Sequence, residues 1–119
     1  MTQEQIIQSN QLIAEFMGIE FDPEIHLFYG YEWDEHNNGV PEYEVYYHQS
    51  WDWLIPVVEK IETIIFENDE YYNFQILGGC YVVIISSHGH ELITVDNGQS
   101  KLECAYLAAV QFIEWYNQQ

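Results

Sequence analysis

Arginine is absent from this chain and lysine occurs only as Lys60 and Lys101, against 20 Asp and Glu residues, which gives a formal net charge of -18. Phosphate binding depends on Lys and Arg displacing counterions, so direct contact with nucleic acid is disfavoured, as is contact with anionic membrane surfaces. Long hydrophobic runs are also missing, and no stretch approaches the ~20 apolar residues needed to span a bilayer. The opening segment, Met1 to Gly18, has neither the basic start nor the uninterrupted apolar stretch of a secretion signal, which predicts a cytoplasmic protein. Cysteine is scarce. Cys80 and Cys104 lie far apart in apolar segments, and they read as small buried hydrophobes rather than redox or metal groups. There is no phosphate-cradling glycine loop, because Gly78-Gly79 lacks the lysine and the helix start such a loop requires. No internal repeat and no linker interrupts the chain.

What the chain does have is apolar and aromatic mass: 48% hydrophobic residues, with 4 Trp, 10 Tyr and 6 Phe. So much acid would ordinarily keep a chain disordered, but this much burial offsets the entropy of ordering it. At 119 residues the expectation is one domain, residues 1–119, with a radius of gyration of roughly 14 Å. Many of its carboxylates then fall within a Debye length of one another, about 8 Å at physiological salt, and repel.

The apolar spacing predicts three helices. Ile6, Ile13, Phe16 and Met17 share a face over residues 3–17, and Gly18 ends that segment. Leu54, Val57, Val58, Ile61, Ile64 and Ile65 recur at helical spacing after Ser50, where Ser50 or Asp52 is the cap. Pro56 there demands either a start near Trp53 or kinked first turns. The last helix opens on Ser100 with Glu103 three residues later, a capping-box pattern, and carries Leu102, Ala105, Ala109, Phe112 and Tyr116 on one side.

Strand patterns fill the rest. Leu27, Tyr29, Tyr31 and Trp33 alternate, Asp34 to Pro41 reads as a turn, and Tyr43, Val45 and Tyr47 alternate again, predicting a β-hairpin with aromatics on one face. Glu32, Asp34, Glu42 and Glu44 then fall on the opposite face. Phe74 to Leu77, Cys80 to Ser86 and Leu92 to Val95 give two or three more strands, with Tyr81 to Ile85 apolar enough for burial on both faces. The resulting fold class is α+β, a mostly antiparallel sheet of four to five strands packed with three helices in the order α-β-β-α-β-β-(β)-α.

Chemical constellations are weak. His88-Gly-His90 places two imidazoles on one side of a strand, but a metal site needs further ligands at matching spacing. Asp34, His36, Asn38 and Gly39 match the opening of a calcium loop, yet its twelfth position is Val45 instead of a bidentate Glu. Ser86, Ser87, His88 and Asp96 hold the ingredients of a nucleophilic triad without a nucleophile elbow. We therefore expect no catalytic residues, no metal and no cofactor. Trp51 and Trp53, flanking Asp52, are amphipathic aromatics fit either to anchor a partner or to cover the edge of a core.

The segments Ser50-Trp-Asp-Trp-Leu-Ile-Pro-Val-Val-Glu-Lys-Ile-Glu62 and Glu103-Cys-Ala-Tyr-Leu-Ala-Ala-Val-Gln-Phe-Ile-Glu-Trp-Tyr-Asn117 resemble a group of small uncharacterised bacteriophage and Bacteroidetes proteins. The arrangement is also similar to the phage ABA-sandwich domain. The resemblance covers about a third of the chain and implies a viral or prophage origin, which favours a protein that interferes with host machinery; it transfers no catalytic residue.

Fourteen of the 20 carboxylates lie between Glu20 and Glu70, so the acid is concentrated rather than spread. The leading expectation is a non-enzymatic acidic protein that binds a basic surface of a host protein, as DNA mimics and anti-CRISPR inhibitors of host defence do. Its candidate contact residues are Glu32, Asp34, Glu35, Glu42 and Glu44 on the hairpin, Trp51 and Trp53, and Glu67, Asp69 and Glu70 beyond the central helix. The alternative is a phage housekeeping protein or an oligomeric adaptor whose acidity serves solubility only.

Overall fold

In the computed structural model, which describes all 119 residues, three helices pack on two separate three-stranded antiparallel sheets. The class is α+β, as the sequence predicts, but the strands number six and divide between two sheets instead of sharing one. Helix α1 spans Gln3–Phe16, and strands β1 (Glu20–Asp22), β2 (Leu27–Tyr29) and β3 (Val40–Pro41) form the first sheet in that order. Helix α2 spans Trp51–Thr63; β4 (Tyr72–Leu77), β5 (Tyr81–Ser86) and β6 (Glu91–Val95) form the second sheet, and α3 (Lys101–Tyr116) closes the chain.

The long hairpin expected over residues 25–48 is corrected. Strand β2 pairs with the unforeseen β1, Phe28 opposite Phe21, and only Leu27 and Phe28 find partners on the far side, in Pro41 and Val40. Gly30 adopts φ +117° and breaks the alternation before Tyr31 and Trp33 extend the strand. On the other arm Pro41 has no N–H to continue the ladder, and Glu42–Glu44 coils into a 3-10 turn. Glu32, Asp34, Glu42 and Glu44 therefore do not line one strand face.

α1 starts on a capping box: the Gln5 N–H donates to Thr2 Oγ1 at 3.1 Å and the Thr2 N–H to Gln5 Oε1 at 2.8 Å. At α3 the Glu103 N–H donates to Ser100 Oγ at 3.1 Å, the forward half of the predicted box. Ser50 occupies the cap position of α2 without a side-chain bond, and α2 runs through Pro56 from Trp51. Since Pro56 carries no N–H, the Asp52 carbonyl one turn back lacks its helical donor.

The core is one contiguous cluster of 23 buried residues centred on α3, whose Cys104, Ala105, Ala108, Ala109, Phe112 and Ile113 have no exposed surface. Small side chains let α3 lie close to β5 and β6 while α1 and α2 pack beside it. In the second sheet Tyr72, Phe74, Val82, Ile84 and Val95 point into this core. The opposite face carries exposed Asn73, Gln75, Leu77 and Thr94, so only Val83, and not the whole run Tyr81 to Ile85, is buried on that side. The exposed edge at β4 is blunted by Glu62 of α2, whose Oε2 accepts from the Phe74 N–H at 3.0 Å.

Lys60 holds α1 to α2. Its Nζ donates to the Phe16 carbonyl at the C-terminal end of α1 and sits 4.8 Å above the Phe16 ring centre, a position favoured both by the helix dipole and by the ring quadrupole.

The two cysteines are not separate buried thiols. Cys80 and Cys104 form a disulfide, with Cα atoms 5.8 Å apart across 24 residues of chain, pinning the β4–β5 turn to the first turn of α3. Gly98 fits against it, since a Cβ there would come within 2.7 Å of Cys104 Sγ. The sequence reading missed the bridge because two cysteines at long separation give no spacing signal; only the fold brings them together. On the loop-entropy account, reduction should lower the unfolding free energy by about 3 kcal/mol. Urea denaturation with and without dithiothreitol measures this, and both thiols should resist alkylation until reduced.

Candidate functional site: an acid-flanked aromatic cleft

After Gly30 the chain crosses the N-terminal turns of α2 and lays Tyr31 and Trp33 there as a stacked pair, ring centres 5.2 Å apart and planes 19° from parallel. The Asp34 N–H donates to the Tyr31 carbonyl at 3.1 Å, so the two rings are stacked by a turn of the chain and not by the strand alternation that the sequence predicts. Trp53 of α2 meets both rings edge-on, at 5.4 Å from Tyr31 and 5.9 Å from Trp33. Tyr47 and Tyr46 in turn meet Trp53 edge-on at 5.1 and 5.9 Å. Between the stack and α2 lies a cleft of about 490 Å³, whose lining also includes Met17, Ile19 and Pro56 and the acidic residues Glu32 and Asp52. No family model, curated protein or solved structure matches the chain. The cleft is accordingly read from its own geometry.

The Tyr31 and Tyr47 hydroxyls lie 2.9 Å apart and bond to each other. Burial pushes both phenols up from their ordinary value, so they stay neutral and mutually satisfied, and the inner wall of the cleft presents ring surface. Trp33 is 59% exposed; its outer surface is open to solvent.

A buried polar knot holds the wall in place. Asn10 of α1, 2% exposed, donates from Nδ2 to the Val45 carbonyl at 3.2 Å and to His48 Nδ1 at 3.0 Å. Its Oδ1 accepts from the Tyr106 hydroxyl of α3 at 2.9 Å. All hydrogen-bonding arms of the amide that the segment Val45 to His48 needs are thus met inside the core, fixing Tyr47 between them. His48 must stay neutral to accept from Asn10, and burial lowers its pKa from the usual 6.5.

The structure distributes the predicted contact residues over several places. Glu32 and Trp53 share the cleft, and Tyr31, Trp33 and Asp52, which the sequence reading did not single out as contacts, complete it. The signal was present in the spacing Tyr31-x-Trp33; what sequence could not supply was its apposition to α2. Trp51 is 37% exposed at the start of α2 and lies outside the cleft lining. Asp34 is occupied within its loop, accepting from the Asn38 and Gly39 N–H groups at 3.2 and 2.9 Å. Glu35 and Glu44 are exposed. Glu42 faces His26 at 3.4 Å beside α1, and Glu70 faces His88 at 3.2 Å while accepting from the Tyr72 hydroxyl. Glu67 and Asp69 are exposed on the loop that leads to β4.

The weaker constellations resolve into structural roles. Ser86 is 4% exposed and its Oγ accepts from the backbone N–H groups of His88 and His90 at 3.2 and 3.0 Å, tying the β5–β6 turn. Ser87 Oγ accepts from the Tyr71 N–H. His88 turns to Glu70, and no three His, Cys, Asp or Glu side chains gather at metal-ligand distance.

The neutral His48 has a pH consequence. Its folded pKa lies below the unfolded value, so the unfolded chain binds the extra proton first. Its contribution is complete above pH 6.5 and is lost as pH falls through the folded pKa. Stability should therefore decline on acidification below that point, and His48→Gln should flatten the decline; urea midpoints between about pH 7.5 and 5.5 test it. Asn10→Leu should cost about 2 to 3 kcal/mol, because it removes the Asn10 donor from the Val45 carbonyl and leaves the Tyr106 hydroxyl only its longer bond to the Ile6 carbonyl at 3.4 Å.

Proposed function

We propose that the chain is a non-enzymatic acidic protein of phage type which binds a basic surface of a host protein in the host cytoplasm, in the manner of DNA-mimic or anti-CRISPR inhibitors of host defence. One observation carries this reading: of the 20 side-chain carboxylates, only Glu42 and Glu70 face a basic side chain, and each of those is a histidine. Neither lysine pairs with an acid: Lys60 is committed to the Phe16 carbonyl and ring, and Lys101 has no carboxylate within ion-pair distance. An uncompensated field of one sign raises the encounter rate with an oppositely charged surface and repels nucleic acid from the same side.

The acids are displayed on several rims instead of one strand pair, which suits a partner that presents a broad Lys- or Arg-lined groove. Exposed aromatics next to them, Trp33, Tyr43 and Tyr46, supply apolar contact area of the kind that anchors interfaces. In a reducing cytoplasm the Cys80–Cys104 bridge would be exposed to thiol exchange, which makes the redox state of the recovered protein a direct indicator of its compartment.

The test is a pull-down from host lysate with the partner identified by mass spectrometry, followed by binding in rising salt. Affinity should fall at least tenfold between about 50 and 300 mM salt if opposite charges drive association. This chain should displace nucleic acid from the captured protein in competition. Binding indifferent to salt, or a partner that keeps its nucleic acid while bound, would refute the mimic reading and leave acidity to solubility alone.

A further inference from the structure

Building on the reading of a basic partner, we infer that the cleft between the Tyr31–Trp33 stack and α2 is a receptor for a single arginine side chain of that partner. The ring faces come first. A guanidinium is flat, weakly hydrated and stacks on indole and phenol faces, so it loses less on leaving water than a compact ammonium does. Trp33, 59% exposed, lines the cleft together with Tyr31, which stacks on it, and Trp53, which meets both edge-on.

The second ground is hydrogen-bond chemistry. The cleft is flanked by two acids, Glu32 and Asp52, neither of which has a basic side chain of this protein within ion-pair distance. A forked donor satisfies such a set of acceptors, whereas a quaternary ammonium has no N–H to offer them. The volume of about 490 Å³ admits the head group together with part of its methylene stem.

The rigidity of the wall matters as much as its composition. The Tyr31 and Tyr47 hydroxyls are bonded to each other, and Tyr47 is flanked by Val45 and His48, both of which Asn10 holds. A preorganised slot of this kind loses little freedom when filled.

Intrinsic tryptophan fluorescence or chemical-shift titration with N-acetyl-arginine-amide tests the assignment, with the N-acetyl amides of citrulline and lysine as controls. Citrulline keeps the shape and removes the charge. Arginine should bind at least about tenfold more tightly than citrulline and more tightly than lysine. The loss should be similar in Trp33→Ala, whose side chain is mostly exposed and whose fold is checked by circular dichroism, and in the double variant Glu32→Gln/Asp52→Asn. Glu4→Gln/Glu114→Gln, two exposed positions outside the cleft lining, should leave arginine binding unchanged. Equal affinity for citrulline, tighter binding of choline than of arginine, or binding that survives Trp33→Ala would each overturn the proposal. A basic host protein still captured with undiminished affinity by Trp33→Ala would overturn the arginine slot while leaving the wider basic-partner reading in place. Arginine binding without any basic partner in the lysate would do the reverse.

Discussion

Everything in this molecule rests on the burial of α3, because its apolar face must hold together a chain whose surface repels itself. The helix has alanines where β5 and β6 approach it and large aromatic residues toward its end. There Phe112 and Trp115 join Phe66 and Tyr72 in a cluster of edge-on and tilted rings with paired centres 5.5 to 5.8 Å apart. Only Glu103 and Glu114 are acidic along it. Dispersion and hydrophobic burial do not depend on the sign of a charge and are not screened by counterions, so concentrating them in one element frees the others to carry charge.

That division of labour explains which parts of the structure could be read from sequence. The three helices have faces written at helical spacing, and Ser100 with Glu103 announced the start of α3. The second sheet was legible as Phe74 to Leu77, Cys80 to Ser86 and Leu92 to Val95, although its strands number three where the pattern allowed two or three, and β4 begins earlier, at Tyr72. The first sheet was not. Its strands are two or three residues long, too short for any period to emerge, and Tyr31 and Trp33, which alternate in sequence like strand residues, lie in a turn closed by the Asp34 N–H on the Tyr31 carbonyl. Local pattern specifies on which side a residue lies; it does not specify what it meets.

The same limit applies to the cleft. Glu32 and Trp53 were visible as an acid and an exposed aromatic, but their association depends on Gly30 redirecting the chain over α2 and on a polar knot formed by residues as distant as Asn10 and Tyr106. Acidic residues counted along the chain suggested one continuous face. In the fold some of them serve the protein itself: Asp34 organises its loop, Glu62 covers a strand edge, and Glu70 meets His88 and Tyr72. Glu32 and Asp52 stand apart because they border ring surface without a basic neighbour.

The Cys80–Cys104 bridge bears on how the molecule would respond to mechanical load. Tension applied at the two termini would peel α1, the first sheet and α2 from the core, then stop at the crosslink. The segment it encloses, β5, β6 and the entry to α3, separated by 24 residues from one cysteine to the other, could not be drawn out, shortening the extensible chain by about 80 Å. A protein threaded from either end by an unfolding motor would present there a closed loop instead of a single strand. The second sheet would be the last part to yield.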